Sequence, residues 1–170
     1  MPRDNHRHSH IDRPAHDEAL PDAQFEEALQ QSGHQAFGSW RYIAHEKEIP
    51  NPGDFLSRTL AHQPIIIVRG EDGQVRVLLN ICQHRHVRVC RQERGNATKF
   101  ICADHGWVYN TKGNLIGLSG PDGHARRFSE RRGLTPVPRM EIYQGAIFAS
   151  LSPDGESLAA ALGQLRGKEA

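Results

Sequence analysis

No stretch of this 170-residue chain is apolar for long enough to cross a bilayer, which takes about 20 consecutive apolar residues. The opening M-P-R-D-N-H-R-H-S-H lacks the apolar core that a secretory signal needs. Cysteine is scarce. Cys82, Cys90 and Cys102 are the only three, too few for a disulfide framework and in keeping with a reducing compartment. An excess of one charge is also lacking: 21 Lys and Arg face 20 Asp and Glu, and a net charge of +1 argues against a nucleic-acid-wide basic surface. No internal repeat is visible. These absences predict a cytoplasmic protein with no membrane span and no nucleic-acid partner. Its length suits one ordinary domain, or a small domain with tails.

The chemistry-bearing residues that are present concentrate between Asn80 and Tyr109. Cys82 and His84 stand one residue apart, Cys102 and His105 stand two apart, and seventeen residues separate the pairs. Two short Cys/His pairs on separate loops can close on a metal centre from opposite sides. In a [2Fe–2S] cluster of mixed ligation, two thiolates hold one iron and two imidazoles the other. Zinc also accepts two Cys and two His. Zinc fingers, however, usually pair Cys with Cys and His with His, whereas each loop here supplies one of each. Cys90 lies between the loops with no partner at metal spacing, and reads as a packed free thiol.

The pattern C-x-H … C-x-x-H resembles the Rieske signature. Arg85 after the first His, and Gly106-Trp107 with Tyr109 after the second, resemble the large (alpha) subunit of aromatic-ring-hydroxylating oxygenases. The run W-R-Y-I-A-H-E-K-E-I-P-N-P-G-D from Trp40 resembles the same family, and the likeness spans roughly residues 22–163. It implies one [2Fe–2S] cluster per chain, held by Cys82, His84, Cys102 and His105, with Arg85, Asp104 and Trp107 around it. It implies electron transfer in an NAD(P)H-driven hydroxylation of an aromatic compound. The implied partners are a reductase or ferredoxin as electron donor, a catalytic-domain or beta subunit, and further copies of the chain. The imidazole edges of His84 and His105 would be the electron's exit, with Trp107 packed under its loop. Respiratory and photosynthetic Rieske proteins carry a loop-clipping disulfide, whose places hold Val87 and Asp104 here. The alpha subunits usually read C-x-H-R-G, where this chain has His86, strained if that position needs a positive φ. Asp104 replaces a common aromatic residue, and its carboxylate would favour the positive form of a neighbouring imidazole.

The expected fold is mainly β, a Rieske-type antiparallel sandwich with two cluster-binding loops and short helices at both ends. Residues 1–21 read as a disordered His-rich tail, with His6, His8 and His10 alternating in it. Residues 22–38 form a helical lead-in, capped by Asp22 with Phe25, Ala28 and Leu29 on one face. Residues 39–155 form the cluster domain. Strands are expected over 39–45, 63–69, 74–80, 98–101, 107–110, 137–143 and 146–151. Asp72-Gly73 marks a hairpin, 112–114 a tight turn, and 118–132 a surface excursion. Residues 156–170 read as a C-terminal helix and tail.

A ring-hydroxylating oxygenase also needs a mononuclear Fe(II) held by two His and a carboxylate. After His105 the chain has only His124, while His34, His45 and His62 have simpler structural or surface readings. The expectation is an electron-transfer half without the catalytic domain or its mononuclear iron. A truncated alpha subunit, a stand-alone Rieske ferredoxin-type carrier and a zinc-binding interaction module remain open.

Overall fold

The computed structural model describes residues 36–37, 39–119 and 133–166. The expected tail, the Asp22 helix, His34, and all of the 118–132 excursion but its first two residues lie outside them, as does His124. Among the described residues, eleven strands make three antiparallel sheets. In chain order they are β1 (Ala36–Phe37), β2 (Trp40–His45), β3 (Asp54–Leu60), β4 (Gln63–Arg69), β5 (Val75–Leu79), β6 (Arg94–Asn96), β7 (Lys99–Ile101), β8 (Trp107–Asn110), β9 (Leu115–Leu118), β10 (Arg139–Tyr143) and β11 (Ala146–Ser150). One helix, α1 (Leu158–Arg166), follows. The first sheet runs β1-β2-β11-β10, the second β5-β4-β3-β6 and the third β7-β8-β9.

The I-I-I-V run of β4 explains how the sheets stack. A strand with one wet face alternates apolar and polar residues; one covered on both faces need not. Ile65 and Ile67 pack with Leu56, Val77 and Ile147, whereas Ile66 and Val68 pack with Phe55, Tyr109 and Leu115. The second sheet is therefore the middle layer, with the first sheet on one face and the third on the other. All four β4 residues are fully buried. At about 25 cal/mol per Å² of apolar surface removed from water, four such side chains contribute substantially to the core.

A third apolar cluster joins Trp40 and Phe148, on the far side of the first sheet, to Leu158, Ala161 and Leu162 of α1. The expected helix start at Glu156 moves to Leu158. Ser157 Oγ accepts from the Ala160 N–H at 3.2 Å and caps it, while the Trp40 indole donates to the Glu156 carbonyl at 3.0 Å.

Strand β1 falls at the end of the expected 22–38 helical lead-in, and β3, β6 and β9 fall where turns or no element were expected. The β3–β4 hairpin closes through Ala61 and His62, at φ 44° and 70°. That is the backbone of a two-residue primed turn, without the Asn-Gly or Asp-Gly that announces one. Asp72-Gly73 does sit in the β4–β5 connection as expected, and Gln144-Gly145 closes β10–β11. His62 is exposed in its turn. His45 caps a one-turn 3-10 helix, Glu46–Glu48, accepting from the Lys47 N–H at 3.1 Å. No helix among the described residues is long and apolar enough to cross a membrane.

Candidate metal centre

Strand β5 delivers the chain to Cys82 and β7 delivers it to Cys102. The two loops that follow have the same backbone. In each, the Cys N–H donates to the carbonyl five residues on, Val87 in one and Trp107 in the other, both at 2.8 Å. In each, the Cys carbonyl accepts from the N–H four residues on, His86 at 2.8 Å and Gly106 at 2.9 Å. That fourth residue has a positive φ both times, 56° at His86 and 68° at Gly106. At Gly106 a side chain is excluded twice over, since a Cβ would also lie 2.5 Å from the Ser119 carbonyl oxygen. His86 is exposed and fits, at the cost of a left-handed conformation that disfavours a Cβ by about 1–2 kcal/mol. His86→Gly should therefore raise thermal stability by about 0.5–1 kcal/mol, the gain reduced by the larger unfolded-state entropy of glycine. Thermal melts of the two proteins check this; a lower melting temperature for the glycine variant would show that the His86 side chain makes a compensating contact.

The matched loops sort the four donors into two pairs. Cys82 and Cys102 are both buried in the core between the middle and third sheets. His84 and His105 are exposed, their rings 4.4 Å apart between centroids and nearly perpendicular. Trp107 stacks on His84 at 5.1 Å and 15°, itself buried under the loops. Thus the thiols face the core and the imidazoles face solvent. Burial, then the neighbouring Cys82, pushes the Cys102 thiol up from its ordinary value. A metal held there has to displace protons from a desolvated pair. Among the described residues no three His, Cys, Asp or Glu side chains converge on a single-ion point. The donor set is two and two, which fits a binuclear cluster with thiolates on one iron and imidazoles on the other.

Two supporting residues were not legible as such. Tyr109, fully buried in β8, lies with its hydroxyl 3.2 Å from Cys82 Sγ and accepts from the Gln83 N–H at 3.2 Å. With that acceptor lone pair in use, the hydroxyl proton is free to point at the sulfur. Burial and the adjacent thiol raise the phenol well above its usual pKa, so the donor stays protonated. Asn80, also fully buried, accepts from the Val89 and Cys90 N–H groups at 3.1 and 2.8 Å. Its amide donates to the Cys90 carbonyl at 2.7 Å and to Ser57 Oγ at 3.2 Å. It ties the way into the first loop to the way out. In the sequence, Tyr109 was visible only as part of the family likeness and Asn80 only as the polar residue that opens the ligand-bearing stretch.

Asp104 lies 3.6 Å from the Arg91 guanidinium. Arg85 is exposed on the first loop. Cys90 is a buried free thiol in the core, and burial raises its pKa.

A three-layered antiparallel β fold with paired Cys/His loops defines a class, and the family model for the Rieske [2Fe-2S] domain matches residues 39–136. The chain belongs to that family. Among curated proteins it is 40% identical over 129 residues to the N,N-dimethyl phenylurea N-demethylase subunit alpha of a Sphingobium species, covering 75% of this chain and 28% of that one. It is 37% identical over 143 residues to the biphenyl 2,3-dioxygenase subunit alpha of Rhodococcus jostii, covering 83% of this chain and 31% of that one. Among solved structures it superposes on naphthalene 1,2-dioxygenase from Rhodococcus sp. with a TM-score of 0.69 at 38% identity, covering 82% of this chain and 32% of that one. The chain thus spans about 30% of the length of the curated relatives it matches.

Proposed function

We propose that this chain is the electron-transfer part of an aromatic-ring-hydroxylating oxygenase alpha subunit. One observation carries the reading: two buried thiols and two exposed imidazoles are presented by two loops of matching backbone. Cys82 and Cys102 would hold one iron of a [2Fe–2S] cluster, and His84 and His105 the other. When bound, that cluster supplies one-electron storage, at a higher potential than four thiolates would give because neutral imidazoles leave it less negative. The protein's own residues do the rest. The middle sheet excludes water from the thiol side. Trp107 fixes the plane of His84 by stacking. Tyr109 donates to the Cys82 sulfur. The exposed imidazoles are the short way out for an electron. In the complete system the electron would come from NAD(P)H through a reductase or ferredoxin, and would pass to a mononuclear iron that hydroxylates an aromatic compound.

Iron, sulfide and spectrum test the assignment on protein purified without oxygen. The expected result is equal iron and sulfide, with the visible and paramagnetic-resonance spectra of a mixed His/Cys [2Fe–2S] centre. Colourless protein carrying stoichiometric zinc would overturn it.

Tyr109→Phe is the sharper test of the site's electrostatics. A hydrogen bond to a ligand sulfur stabilises the more negative, reduced state. Removing about 1 kcal/mol of that differential corresponds to about 40 mV for one electron. The variant should keep its colour and show a midpoint potential lower by that order. An unchanged potential would mean that the hydroxyl proton does not point at Sγ.

A further inference from the structure

The tips of the two ligand loops are exposed, and no disulfide ties one to the other, since Cys82, Cys90 and Cys102 are all free. Each loop is closed on itself by backbone bonds, Cys82 to Val87 and Cys102 to Trp107. Two contacts join the loops from beneath: Trp107 stacks on His84, and the Tyr109 hydroxyl accepts from the Gln83 N–H. A third contact lies outside. There Asp104 meets the Arg91 guanidinium at 3.6 Å, with the two side chains 33% and 68% exposed.

Both ends of this pair are anchored. Asp104 stands inside the second loop, directly before His105. Arg91 directly follows Cys90, whose N–H donates to the buried Asn80 side chain at 2.8 Å and whose carbonyl accepts from it at 2.7 Å. The backbone at Arg91 is thus pinned to the way into the first loop, while its guanidinium reaches the second. Exposed ion pairs add little to global stability, because solvent screens them and two side chains have to be ordered. Here one partner is a short carboxylate on a closed loop and the other starts from a pinned backbone, so less freedom is lost. Opening of a loop is moreover a local event, which such a pair can resist while the rest of the fold stays as it is.

We infer that Asp104 and Arg91 are positioning residues for the centre between the loops. Their ion pair is an electrostatic clip that holds the second loop, and His105 with it, against the segment leaving the first. The clip acts through the loops and supplies no ligand. Both side chains lie outside the buried core, so losing them leaves the sheets intact. The loss shows instead in how readily the loops open and in how the two imidazoles are set against each other. This rests on the electron-transfer reading above and adds how the two halves of the donor set are kept together.

The test follows the visible absorption of the cluster-loaded chain at low salt while the neutral chelator bipyridine removes its iron. D104N and R91Q should each bleach about threefold faster than wild type, the size of effect an exposed ion pair can have. The double variant D104N/R91Q should bleach no faster than either single variant, because two residues acting as one pair do not add. R91K and the exchanged pair D104R/R91D keep opposite charges in place and should stay within about 1.5-fold of wild type. At about 1 M salt, where the screening length falls to about 3 Å, the differences should shrink by about half or more. The paramagnetic-resonance g values of the reduced chain should shift in the single variants and return in the exchanged pair. Melting temperatures should move by less than about 3 °C throughout. If the exchanged pair fails to load a cluster, R91K against R91Q gives the same comparison of charge kept and charge lost. Single variants that bleach at the wild-type rate, additive rates in the double variant, or R91K as fast as R91Q would overturn the clip. A wild-type chain that never shows the mixed-ligand [2Fe–2S] spectrum would instead overturn the parent reading, so the two failures are told apart.

Discussion

Cys82→Ala protein should purify without visible absorption and melt well below the wild type. Cys82 is fully buried between the middle and third sheets, and its sulfur faces the Tyr109 hydroxyl. On the proposed assignment, removing it takes away one of the two thiolates that would hold an iron. When a metal site does not exist without its metal, binding energy is folding energy. A loss on the order of 5 kcal/mol is then expected, which for a chain of this size lowers the melting temperature by roughly 10–20 °C. Cys102→Ala should behave alike. Cys90→Ala is the control: a buried thiol in the same core but outside the donor set, it should keep full colour and lose about 1 kcal/mol of packing. A Cys82→Ala protein with an intact [2Fe–2S] spectrum would refute the ligand assignment.

The second large effect is expected away from the ligands. Asn80→Leu keeps the branching and heavy-atom count of the side chain but leaves the Val89 and Cys90 N–H groups without their acceptor and the Cys90 carbonyl without its donor. Each buried group so stranded costs about 1–3 kcal/mol, so a total of roughly 3–9 kcal/mol is expected for the three. Because those groups close the first loop, the variant should also lose its colour to an iron chelator faster than wild type. Ser57→Ala, which removes only one weaker bond, should cost about 1 kcal/mol or less. Thermal melts and the rate of bleaching read both effects. An Asn80→Leu protein as stable as wild type would mean that Asn80 does not hold the loop in solution.

The residues legible in the sequence are those whose chemistry needs only short spacing. Cys82 with His84 and Cys102 with His105 can be read because a ligand loop is a local object and thiolate and imidazole have few other reasons to recur in pairs. Most strands were legible for the same reason, since β-branched runs between turn residues are local signals. His86 was marked as strained at a positive φ, and the structure places it at 56°.

What the sequence alone determined about this protein is therefore its family, its mainly antiparallel β class and the position of most of its strands. Tertiary structure decided the rest, because it depends on which distant segments share a core. Strand β3 carries Phe55 and Leu56 side by side, which breaks alternation; it is a strand because the third sheet covers one residue and the first sheet the other. Strand β6, R-G-N, has no exposed or buried pattern of its own and exists through its backbone pairing with β3. Asn80 reaches ten residues ahead and Tyr109 reaches back 27 to Cys82, separations over which no periodicity or motif speaks. The opposition of Asp104 and Arg91, 3.6 Å apart, is likewise a product of packing. Local sequence sets what a loop can bind, and the long-range burial of its flanks sets how that loop is held.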